Sequence, residues 1–136
     1  MMAVVTAVGL VAAVGAAAVH VLIFWMESIA WEGPLARRAF GGTPEEARPH
    51  AFYAYNQGFY NLFLAVEALL GVALVVLGAG SAFRAGTALV LYGTGSMVAA
   101  ALVLGLCSPA HRGAALKQGS LPAIAVVCLA LGALLG

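Results

Sequence analysis

Charge is the scarcest property of this chain. Six Lys and Arg and five Asp and Glu residues amount to 8% of 136 positions, against about 25% in an ordinary soluble domain. So few ionic side chains cannot cover a globular surface in water. The formal net charge is +1 and no basic block occurs, which leaves nothing to grip nucleic-acid phosphates. Cysteine is scarce too. Cys107 and Cys128 stand apart, at no metal-binding or redox spacing, and read as small apolar fillers. No Lys or Arg precedes the first apolar run. That run is also too long for the core of a cleaved signal peptide and reads as a membrane span.

Hydrocarbon fills the space that charge leaves. Hydrophobic residues make up 64% of the chain, and the mean hydropathy is +1.06. Four apolar runs stand out, at about 3–30, 51–78, 83–107 and 120–135. A hydrocarbon core of about 30 Å takes about 20 helical residues, so three runs are ample and the fourth is marginal. The runs are continuous and lack the alternation of a membrane strand, which favours helices over a barrel. The sequence therefore predicts an all-α membrane protein, a single domain over 1–136 built as a bundle of four transmembrane helices. EGPLARRAFGGTPEEARP, LGAGSA and SPAHRG read as the connecting loops.

Basic residues orient the spans. Arg37, Arg38 and Arg48 lie in the first loop and Arg112 and Lys117 in the third, against Arg84 alone in the second. This asymmetry predicts a multi-pass cell-membrane protein with both termini outside the cytoplasm.

Against this background the polar residues of the second span need a reason. On a helical wheel Tyr53, Asn56, Tyr60 and Glu67 fall within about 60° of one another, with Gln57 and Asn61 on an adjoining strip. A mid-span carboxylate costs about 2.5–3.5 kcal/mol to insert, so this face is expected to look inward. The first span carries His20, Phe24, Glu27 and Trp31 at a spacing of four, three, four. Gln118 opens the fourth span from the same side of the membrane. These residues are expected to line a small intramembrane cavity with Glu27 and His20 on one wall as the acid/base pair. Asn56, Gln57, Tyr60, Asn61, Glu67 and Gln118 would be its substrate-side groups. Each also has a plainer reading: Glu27 as a headgroup-facing carboxylate, the amides as interhelical glue, His20 as a satisfied core histidine.

His20 with Glu27, then NQGFYN leading into FLA, then QGSLPA, resembles a small membrane-protein family catalogued as domain of unknown function 1304. The resemblance covers nearly the whole chain and implies a compact four-helix membrane protein without naming an activity. Here the family's YNG is YNL, with Leu62 after Asn61. A shorter likeness, GTPEEARPHAFYAYN and later SPAHRG, resembles the haem-containing epoxide isomerases of membranes. It implies His50 as an axial ligand of haem b and Asn56 as a substrate-side group; the residues themselves call for no cofactor and no metal. Three classes of function suit a polar intramembrane cavity. They are an isomerase-like enzyme acting on a lipophilic small molecule, a proton-coupled transporter, and an accessory subunit. Four short helices enclose little volume, so a homo-oligomer is expected.

The orientation is directly testable. With Cys107 and Cys128 replaced by Ser, Thr43→Cys should react with an impermeant maleimide only from the cytoplasmic side. Labelling only from outside would invert the topology.

Overall fold

The computed structural model describes residues 1–135, which are helical over most of their length. Helix α1 (Met2–Phe24) runs directly into a π-helical turn, Trp25–Ile29. Short helices α2 (Pro34–Phe40) and α3 (Pro44–Ala47) and a 3-10 turn, Arg48–His50, lead into α4 (Ala51–Leu77). Helix α5 (Ser81–Cys107), a 3-10 turn (Pro109–His111) and α6 (Arg112–Leu135) complete the chain. Among the described residues, four segments are long and apolar enough to cross a membrane. The all-α four-helix membrane bundle expected from the sequence is what forms.

Two boundaries differ from expectation. The first loop folds into α2 and α3, because Pro34 and Pro44 occupy first helical positions, where a missing N–H costs nothing. Thr43 and Glu46 close a reciprocal capping box on α3: Thr43 N donates to Glu46 Oε2 at 2.9 Å, and Glu46 N donates to Thr43 Oγ1 at 3.3 Å. The fourth span begins at Arg112 instead of near Ser120. Hydropathy falls over RGAALKQG, but Ala, Leu, Lys and Gln remain strong helix formers, so the helix extends past the apolar run. Pro122 sits inside α6 and leaves the Gln118 carbonyl without its usual donor.

The long helices form a ring in the order α1, α4, α5, α6, each packed on its two neighbours. The interior is built from small side chains. Ala12, Ala13, Val90, Ala125 and Leu129 make one layer, and Ala16, Ala17, Ala65, Ala68 and Met97 the next. Ile23, Met26 and Ala36 close the loop end. Lipid tails are as apolar as these residues, so the hydrophobic effect does little to associate such helices; close van der Waals packing must do it. At the α4–α5 crossing the backbones themselves touch. A Cβ on Gly71 would lie 2.5 Å from Val90 N, and one on Gly86 would lie 2.7 Å from Val75 N.

The loop end is clamped through Trp31. Its Nε1 donates to Ala47 O at 2.8 Å, and the Arg37 guanidinium lies 4.3 Å from the ring centroid. Arg37 also donates to Trp31 O and Gly41 O. Nearby, Arg48 pairs with Glu32 at 2.8 Å and holds the Glu32 carboxyl below its usual range.

The contact at Gly71 predicts a split among glycine substitutions. Gly71→Ala should destabilise the bundle by about 1–3 kcal/mol through overpacking. Gly95→Ala, where nothing lies within 4 Å of the new Cβ, should stabilise α5 by about 0.5–1 kcal/mol. Thermal unfolding in detergent distinguishes the two.

Candidate functional site

The π-helical turn sets the position of Glu27. Its wider winding gives an i→i+5 bond, Ala30 N to Trp25 O at 2.9 Å, and takes Glu27 off the phase that a regular helix would assign it. Such turns are rare and occur frequently at functional sites. Gly58 of α4 makes room for this one. A Cβ there would run into Ser28 Oγ and would lie 3.1 Å from both Glu27 Cβ and Phe24 O. Ser28 Oγ donates to Tyr55 O at 2.7 Å, which ties the turn to α4.

Glu27 faces Asn61. Asn61 Nδ2 donates to Glu27 Oε2 at 2.9 Å and to Gln57 O at 3.2 Å. The Gln57 carbonyl can only accept, so the amide orientation follows: Nδ2 serves both contacts and Oδ1 remains available. Asn61 lies ten residues into α4, about 15 Å along it. The 27-residue helix is about 40 Å long and the hydrocarbon core about 30 Å thick. Glu27 itself lies two residues from the end of the Met2–Ile29 segment, so the pair stands at the loop end of the α1–α4 contact, with both side chains partly buried.

The other expected site residues separate into different surroundings. His20 is 2% exposed, and its Nδ1 bonds Ala16 O at 2.9 Å. It is a satisfied core residue about 10 Å along α1 from Glu27, and the two do not form one acid/base wall. Asn56, Gln57 and Tyr60 are exposed and Glu67 is half-buried. The polar face of α4 thus looks out of the protomer instead of into it. The reason is packing: Ala54, Gly58, Ala65, Ala68 and Gly71 occupy the inner face, because only small residues let α1 and α5 approach so closely. Among the described residues, Asn61 is the one polar side chain of α4 that hydrogen-bonds within the chain.

Gln118 lies on the other side of α1, in a 210 Å³ cleft with Lys117, Arg38 and Met26. His50 is exposed and opens on a 430 Å³ cavity at the loop end, shared with Trp31, Arg37, Glu46 and His111. The two segments behind the haem likeness therefore do meet in space. Among the described residues, no group of three or more His, Cys, Asp or Glu side chains is placed to hold a metal ion.

The site is thus smaller than the sequence suggests: Glu27 and Asn61 at its centre, Gln57 one turn along α4, and Ser28 and Gly58 holding the geometry. The last two were not anticipated, although Gly58 stands in the NQGFYN segment. Its signal was a glycine in the middle of a helix, where the residue costs up to about 1 kcal/mol relative to Ala.

A double-mutant cycle checks this assignment. Glu27→Leu and Asn61→Leu should couple by about 1 kcal/mol or more, since each single change strands a partly buried partner. Glu27→Leu and Asn56→Leu should be additive. Thermal unfolding of the singles and doubles in detergent is the measurement.

Comparison with curated proteins and with solved structures returned no match. Comparison with protein families did return one: residues 14–130 match the family described as Protein of unknown function (DUF1304). That match spans α1 from Val14 through most of α6, including Glu27, Gly58 and Asn61, and the chain belongs to this family.

Proposed function

We propose that this protein is a small membrane-embedded enzyme of the isomerase type, using Glu27 for proton transfer on a lipophilic molecule that arrives laterally from the bilayer. The observation that carries the reading is the partly buried hydrogen bond between Glu27, on the π-turn, and Asn61 of α4. Asn61 engages one carboxyl oxygen and orients the group, so Oε1 is the oxygen left to exchange a proton with substrate. Glu27 would take a proton from a carbon next to a carbonyl and return it at a neighbouring atom. The reaction needs no oxidant or second substrate, and the proton balance closes on Glu27. The exposed amide of Gln57, on the same strip as Asn61, would donate to the oxygen on which negative charge develops. In the orientation proposed here both termini lie outside the cytoplasm, and the Glu27 end of α1 lies on the cytoplasmic half.

Glu67 favours a second reading. It lies about 24 Å along α4, close to the helix midpoint, and is half-buried. A mid-membrane carboxylate is characteristic of proton-coupled transport. The two readings assign the essential proton to different residues.

The test uses protein in vesicles, deuterium oxide and a panel of lipophilic ketones. Wild-type protein should catalyse deuterium incorporation next to the carbonyl, and Glu27→Gln, which keeps shape and most hydrogen bonding, should lose it while unfolding at an unchanged temperature. Exchange no faster than in empty vesicles, or unaffected by Glu27→Gln, would rule out the enzyme reading. A proton leak driven by an imposed pH gradient, abolished by Glu67→Gln and untouched by Glu27→Gln, would establish the transporter instead.

A further inference from the structure

The outward stripe of α4 has a spacing that the protomer does not use. Tyr53, Asn56, Tyr60, Phe63, Glu67 and Leu70 follow one another at three, four, three, four, three, the repeat of a two-stranded helical seam. Within the protomer this stripe packs against little. Tyr53 is 72% exposed, Tyr60 57%, Phe63 61% and Leu70 51%. Asn56 is exposed and Glu67 half-buried, and among the described residues neither side chain has a hydrogen-bond partner in the chain.

We propose that this stripe is a parallel twofold interface between two copies of the chain, in which Asn56, Tyr60 and Glu67 each meet their own counterparts. The argument is one of depth. The three polar residues lie about 7.5, 13.5 and 24 Å along α4. A twofold axis along the membrane normal returns every residue to its own depth, so all three levels are matched at once. Lipid tails match none of them. A different protein would need acceptors and donors at the same three levels.

The chemistry is self-complementary as well. An amide both donates and accepts, as does a phenol, and two carboxyl groups hydrogen-bond when they share a proton. Polar side chains of this kind hold membrane helices together, and a single Asn on such a seam selects register and partner number. The neighbouring strip of the same helix, with Val66, Leu69, Ala73 and Val76, carries no amide or carboxylate and suits lipid. The interface is independent of the proposed chemistry, because Glu27 and Asn61 meet across the α1–α4 contact.

Cysteine cross-linking in native membranes decides the matter, on a background with Cys107→Ser and Cys128→Ser. With a membrane-permeant oxidant, Phe63→Cys and Leu70→Cys should give covalent dimers several-fold more efficiently than Leu69→Cys and Ala73→Cys. Equal yields at the four positions, dimers chiefly at the latter two, or no dimer anywhere would overturn the proposal. In detergent, Asn56→Leu should raise the concentration for half-dissociation by about threefold, the effect of one interhelical hydrogen bond, and an unchanged value would overturn the polar seam. Glu27→Gln should leave cross-linking intact, so failure of the catalytic reading and failure of the interface are separately visible.

Discussion

Everything distinctive in this bundle follows from how closely its helices approach. In lipid, burying a leucine gains little, because the surrounding tails are equally apolar; contact between backbones gains more. The chain therefore turns its Ala and Gly faces inward, and at Gly71 and Gly86 no side chain separates α4 from α5. Bulky residues such as Phe52, Leu77 and Val76 go outward, the reverse of a soluble protein's arrangement. The polar residues of α4 go where the small-residue face leaves room, which for most of them is the outer surface.

The Glu27 site is one product of that constraint. Gly58 allows α1 to come close enough for its π-turn to rest on α4, and the turn then brings Glu27 to Asn61. The wider winding of the turn shifts Glu27 from the phase that His20 has on the regular helix. One backbone irregularity and one missing Cβ thus shape the contact in which Asn61 meets the carboxylate. His20 went the other way: two turns deeper, it bonds the Ala16 carbonyl of its own helix and serves as core.

The fold was largely legible because membrane spans are written in composition. Continuous apolar runs, sparse charge and glycine-punctuated loops located four helices, with boundaries missed chiefly at α6, where hydropathy and helix propensity part company over RGAALKQG. Of the candidate site, Glu27, Gln57 and Asn61 were legible as polar residues but not as contacts, and Ser28 and Gly58 were not legible. A helical wheel groups Asn56, Tyr60 and Glu67 correctly and says nothing about which side of the wheel the neighbours occupy. Polarity argued for the inside and packing put that face outside.

What the sequence by itself determined is the solvent, the number of crossings and the angular order of residues around each helix. These depend on transfer free energy and on 3.6 residues per turn, both local properties. Only the tertiary structure decided which face each helix presents to its neighbours, since that depends on the fit of two surfaces together. The pairing of Glu27 with Asn61, the burial of His20 and the exposure of Asn56 all follow from that fit. The π-turn belongs to the same class: it is stable because Gly58 and the Tyr55 carbonyl of another helix receive it, and no reading of WMESI alone supplies them.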